Sequence, residues 1–120
     1  MLPLIYSWLK AAPAVTAILG AAPKVYRHGS APQGAVPPYV TWSVISDAPE
    51  NNLSELPPVD RVTVQVDCYH TTDPGIEQLA TAVRDAIEPH AHMTGLPINE
   101  REPETQLYRI ALQFDCFLYR

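Results

Sequence analysis

The sequence predicts an α+β fold, a two-layer sandwich in which a mainly antiparallel sheet of about four strands carries two helices packed on one face. Three observations lead there. The five residues Gln65-Val66-Asp67-Cys68-Tyr69 recur as Gln113-Phe114-Asp115-Cys116-Phe117, each copy inside a strict apolar/polar alternation. Between the copies, Ile76, Leu79, Ala80, Val83 and Ile87 fall at helical spacing. Near the N-terminus, Leu4, Ile5, Trp8, Leu9 and Ala12 do the same. A period of two marks a half-buried strand, and a period of 3.6 marks a helix with one face on a core.

Taken along the chain, Met1 to about Ala12 reads as a short helix, with Pro3 in the first turn where a missing N–H costs nothing. Pro13 interrupts it. Val15, Ile18 and Leu19 make a second apolar turn that Gly20 closes. Residues 24–27 form a weak strand, followed by an aperiodic, exposed loop from Gly29 to Pro38. Residues 39–46 form a strand whose core face is Val40, Trp42 and Val44. A second long loop, Asp47–Asp60, becomes the tip of a long hairpin, with Leu53 and Leu56 as its apolar residues.

The first repeat strand runs from Arg61 to His70, with Val62, Val64, Val66 and Cys68 inward. Arg61, Thr63, Gln65 and Asp67 face the other way. Asp73 is placed as helix N-cap with Pro74 at the first helical position, and Pro89 ends that helix. His92–Asn99 is an irregular strand, broken by Gly95 and Pro97. The second repeat strand spans about Leu107 to Tyr119, with Arg109, Gln113 and Asp115 on its polar side. Strands joined by loops should pair antiparallel.

Composition narrows the function. Eight Lys and Arg stand against 13 Asp and Glu, giving a net charge of −5 with no basic run. That excludes a protein that grips nucleic acid through its phosphates. The 13 prolines fall outside the periodic segments and stiffen loops. The N-terminal stretch lacks a basic leader, and Ala11–Ala22 is too short to span a bilayer, so a cytoplasmic protein with no membrane partner is expected.

Catalytic signals are weak. No phosphate-cradling glycine loop, G-x-S-x-G or Cys/His nucleophile pattern appears. His90-Ala91-His92 is the best metal candidate, but His28, His70 and the cysteines have no zinc-like spacing to it, so no metal or cofactor is assigned. Asp67 and Asp115 would form a carboxylate pair, and Cys68 and Cys116 would approach, if the two repeats lie side by side. A polar sheet face built from Arg61, Gln65, Asp67, Arg109, Gln113 and Asp115 suits contact with further copies of the chain, the lining of a channel, or water.

The order of motifs adds to this. A helix containing Ala-Val-Thr-Ala-Ile-Leu-Gly (14–20) is followed by a Pro-rich loop leading into Pro38-Tyr39-Val40-Thr41-Trp42. A long loop and Arg61-Val62-Thr63-Val64-Gln65-Val66-Asp67-Cys68-Tyr69 come next, then the second helix and the closing Gln-Phe-Asp-Cys-Phe strand. Over nearly its whole length the chain resembles the tail-completion, or tail-terminator, family of bacteriophages and prophages with long non-contractile tails. It departs from that pattern at Leu53-Ser54-Glu55-Leu56, where such proteins often carry a glycine.

The resemblance implies a non-enzymatic structural protein of the virion tail, at its head-proximal end. It implies a homo-oligomeric ring, commonly of about six subunits, that caps the tail tube, ends its polymerisation and docks on the head. Its partners would be further copies, the tail tube protein and a head-tail connector or neck protein. DNA would pass through the acidic ring without specific binding. Asn51, Asn52, Leu53, Glu55 and Leu56 would contact tube or neck, and Gly29–Pro38 would be a second contact loop. A connector ring on the head side, a small metal-dependent enzyme using Asp67, Asp115 and histidines, and a monomeric binding domain are the other readings.

Overall fold

A computed structural model describes residues 2–49 and 59–119. The elements are α1 (Ile5–Lys10), α2 (Pro13–Leu19), β1 (Val25–Arg27), β2 (Tyr39–Pro49), β3 (Val59–His70), α3 (Asp73–Ile87), β4 (His92–Arg101) and β5 (Tyr108–Tyr119). The expected α+β sandwich is present, with five strands in the order β1-β2-β3-β5-β4 and three helices on one face. None of these helices is long and apolar enough to cross a membrane.

The two repeat strands are direct neighbours. β3 and β5 pair antiparallel over their full length, with Gln65 opposite Gln113. Their inward rows, Val62–Cys68 and Ile110–Cys116, carry Phe114 at the centre, between Val64 of β3 and Met93 of β4. Ile76, Leu79, Val83 and Ile87 of α3 close over that row, and Ile5, Leu9, Val15 and Leu19 extend the same core.

The N-terminal segment is two short helices, because Pro13 restarts the chain as a second one that ends at Gly20. Several expectations are corrected. Leu4 becomes the residue ahead of α1 and is 61% exposed, so it leaves the core face assigned to it. The N-cap of α3 is Thr72, not Asp73. Thr72 is extended, and its hydroxyl accepts the Gly75 N–H at 3.1 Å. Asp73 moves into the first turn, where its charge still meets the positive end of the helix dipole.

β1 runs parallel to β2, because residues 28–38 carry the chain back to the end of the sheet where β1 began. His28 and Gly29, both at positive φ, turn it. On β2, Val40 and Trp42 are buried as expected, but the pairing slips between Val44 and Ser46. Ile45 is the extra residue of this bulge and is 49% exposed, while Val44, still opposite Val64, is 36% exposed.

The turn into α3 depends on His70. Its Nδ1 accepts the Thr72 N–H at 3.2 Å, and a Cβ at Gly75 would overlap the imidazole and the Thr72 hydroxyl. Burial holds the His70 pKa below its ordinary 6.5. The unfolded chain therefore protonates first as pH falls. The stabilisation is complete above pH 6.5 and is lost as pH drops through the lower folded value. His70→Asn is expected to flatten the loss of stability between about pH 7 and pH 5, measured by urea unfolding at each pH. An unchanged pH slope would refute the role of His70.

Candidate functional site

The helices cover one face of the sheet, and the residues with polar chemistry lie together on the other. The cross-strand register sets four rows there. Ser46, Thr63, Asp115 and His92 make the first. Ser43, Gln65, Gln113 and Gly95 make the second, and Thr41, Asp67, Ala111 and Ile98 the third. Tyr39, Tyr69, Arg109 and Glu100 make the last, and Tyr26 of β1, level with Thr41, extends the third.

The third row is the most enclosed, and the fourth lies beside it. Asp67 is only 4% exposed. Its Oδ1 accepts from Gln65 Nε2 at 3.0 Å and lies 3.4 Å from an Arg109 guanidinium nitrogen. Arg109 also faces Glu102 at 3.9 Å and lies 5.8 Å from the centroid of the Tyr69 ring. Burial works against the Arg109 charge, but Asp67, Tyr69 and Glu102 outweigh it and raise its pKa above the ordinary value. Tyr69 stacks on Tyr39 at 4.9 Å, and Tyr39 meets Tyr26 edge-on at 6.2 Å. Burial raises the phenol pKa of both Tyr39 and Tyr69.

Two buried polar atoms among the described residues, Thr41 Oγ1 and Arg109 Nε, have no hydrogen-bond partner. They sit on either side of Asp67 on this face. An unmatched buried polar group costs about 1–3 kcal/mol, so such groups are kept where something else supplies the partner.

The six residues expected on a polar face, Arg61, Gln65, Asp67, Arg109, Gln113 and Asp115, do share this one. The antiparallel register separates their chemistry, however. Asp67 lies opposite Ala111 and Asp115 opposite Thr63, four positions along the ladder, or roughly 13 Å at strand rise. They form no acid/base pair. Thr63 Oγ1 donates to Asp115 at 2.7 Å instead. Cys68 and Cys116 are six positions apart for the same reason, and both are free and buried.

His90 and His92 do not act together. His90 stacks on Trp8, centroids 4.6 Å apart and 3° from coplanar, and pins α1 to the end of α3, whereas His92 opens β4 opposite Asp115. Among the described residues no group of three His, Cys, Asp or Glu is placed to hold a metal ion. A groove of about 450 Å³ between α2 and α3 is walled by Ala14, Ile18 and Ala82 together with Glu77, Thr81 and Asp85. Asn51, Asn52, Leu53, Glu55 and Leu56 lie outside the described residues.

Sequence reasoning missed the Tyr26–Tyr39–Tyr69–Arg109 ladder. Each residue was visible at a strand position, but the ladder exists only in the register that aligns four strands, and no single-strand pattern encodes that.

Burial raises the pKa of both thiols, that of Cys116 to about 11 with help from the Asp115 carboxylate. Neither should react with an aromatic disulfide at pH 8 in the folded protein, and both should react in denaturant. A native thiol that reacts within minutes would contradict this packing.

The described residues thus form a helix-backed sheet whose second face is polar and partly desolvated. The chain is similar to one chain of the virion of a native gene transfer agent particle, with TM-score 0.70 and 18% identity over 97% of this chain and 92% of that one. At that identity the likeness is one of fold. The family model of tail completion protein gp17 matches residues 3–119, and the chain belongs to this family. It is a structural protein of a phage tail. No curated protein matches its sequence significantly.

Proposed function

We propose that the chain is the subunit of a closed ring that caps the head-proximal end of the tail tube, ends tube polymerisation and joins tail to head. The observation that carries this reading is the tail completion match along nearly the whole chain. The sheet face supports it. Its strands set Gln65, Asp67, Arg109, Gln113 and Asp115 side by side, a row of polar groups suited to contact with a neighbouring copy.

In this reading the face bearing Arg61, Gln65, Asp67, Arg109, Gln113 and Asp115 meets a neighbouring subunit or lines the channel. Loop residues Asn51, Asn52, Leu53, Glu55 and Leu56 contact the tail tube protein or the head-tail connector. The net charge of −5 keeps passing DNA from adhering. Head-to-tail contacts close into a ring when the rotation between neighbours divides a full turn.

Light scattering across concentration, with negative-stain imaging, tests this. The expected result is a particle of about six subunits with a central hole. A compact dimer with no hole would refute it. Deleting Asn51–Leu56 should leave a folded subunit that no longer joins tails to heads, and normal infectious particles from that deletion would refute the loop assignment.

A further inference from the structure

Among the described residues both outer edges of the sheet are open, and they differ. On one side β1 covers β2 only opposite Val40, Thr41 and Trp42, and the Gly29 N–H takes the Trp42 carbonyl. Beyond Trp42, β2 is the outermost described strand on that side. On the other side β4 pairs with β5 alone. Open edges invite strand addition, and proteins that leave them open without a purpose aggregate.

Strand direction decides how two copies fit. β2 is antiparallel to β3, β3 to β5 and β5 to β4, while β1 follows β2. β4 therefore runs opposite to β1 and β2. A neighbour related by simple rotation brings its β4 to the β1–β2 edge antiparallel, and the same join repeats at its far side. That is a head-to-tail contact of the kind that closes into rings.

The edges also match in content. Lys24 sits one residue before Val25, and so level with Tyr39, in the row that runs through Tyr69 and Arg109 to Glu100. Lys24 and Glu100 thus occupy the two ends of one row across the sheet. The β1 edge carries Lys24, Arg27 and His28, and the β4 edge leads into Glu100, Arg101, Glu102 and Glu104, a net acidic run. Near the bulge, Val44 and Ile45 are exposed on one edge, while Leu96 is 47% exposed at nearly the same level on the other. Gly95 and Pro97 break β4 above Ile98, which restricts regular pairing to its last residues. Such a short join is weak singly and gains from closure.

We propose that copies of this chain join head to tail by antiparallel addition of β4 to the β1–β2 edge, with Glu100 of one copy opposite Lys24 of the next and Leu96 against the exposed Val44–Ile45 bulge. This rests on the ring reading above and supplies its subunit contact. The partner is a second copy because charge, apolar content and strand direction are complementary between the two edges of the same sheet. The bond is a shared backbone ladder, and the side chains set its register.

The test is disulfide trapping at millimolar protein, with light scattering on the unsubstituted chain. Cys68 and Cys116 are buried and leave the background silent. Lys24→Cys with Glu100→Cys in one chain should convert most of the monomer into a covalent ladder under mild oxidation. The two single variants should give one dimer band only when mixed. Arg27→Cys with Leu96→Cys is a second pair in the same join, should the first disturb folding. A dimer from Lys24→Cys alone would show a two-fold contact and overturn the proposal. Oligomers by scattering with no ladder from either pair would overturn the edge contact and leave the ring reading standing. Monomer at every concentration with no ladder would overturn both.

Discussion

Replacing Phe114 by alanine is expected to cost about 3–5 kcal/mol, the largest loss from any single truncation in this chain. Phe114 is fully buried in the middle of β5, between Val64 of β3 and Met93 of β4. Those strands form part of a rigid sheet floor, and α3 closes the space above. Neither layer can collapse into the void without breaking its own hydrogen bonds. The lost transfer energy and the cavity therefore add. Domains of this size hold roughly 5–15 kcal/mol in total, so the variant should unfold at much lower urea with an unchanged slope. Phe114→Leu fills most of the volume and should cost far less. A Phe114→Ala loss under about 1.5 kcal/mol would mean that the site repacks and the core is less rigid than its geometry implies.

The repeat that marks Phe114 in the sequence shows what was legible and what was not. Period-two alternation placed β3 and β5 and identified their inward faces, because one face of each strand must meet the core. The α3 stripe was equally readable, since Ile76, Leu79, Ala80, Val83 and Ile87 are all buried. Failures came where a local pattern does not contain the answer. Val44 continues the alternation of β2 and lies opposite Val64, yet it is 36% exposed beside the bulge at Ile45. Leu4 keeps helical spacing, but the helix begins one residue later. Two copies of one motif suggested two aspartates and two cysteines side by side. An antiparallel pair instead sends equivalent residues to opposite ends, and only the central Gln65 and Gln113 meet. Register is a property of two strands, and neither strand alone carries it.

The same geometry makes the two motif aspartates unequal, and this gives the second large effect. Asp67→Ala should cost about 2–4 kcal/mol. It removes the acceptor of Gln65 Nε2 and the counter-charge of Arg109, whose side chain is only 21% exposed and whose Nε already lacks a partner. A guanidinium left without its carboxylate in that setting has lost most of what offsets its desolvation. Water reaching the exposed fifth of Arg109 keeps the figure toward the lower part of the range. Asp115 occupies the matching place in the repeat, but it holds a single hydrogen bond, from the Thr63 hydroxyl, strands no buried cation and is less buried. Asp115→Ala should cost about 1 kcal/mol. Asp67→Ala combined with Arg109→Met should recover part of the loss, because no charge is then stranded, and the double-mutant cycle should show coupling of about 1–2 kcal/mol. Equal costs for the two aspartates, or no coupling between Asp67 and Arg109, would mean that the helix-free face is ordinary solvated surface. A face that stays stable only while Asp67 balances Arg109 has its charge settled before any partner arrives. What it still offers a partner is the tyrosine row and the part-exposed Gln65, Gln113 and Asp115.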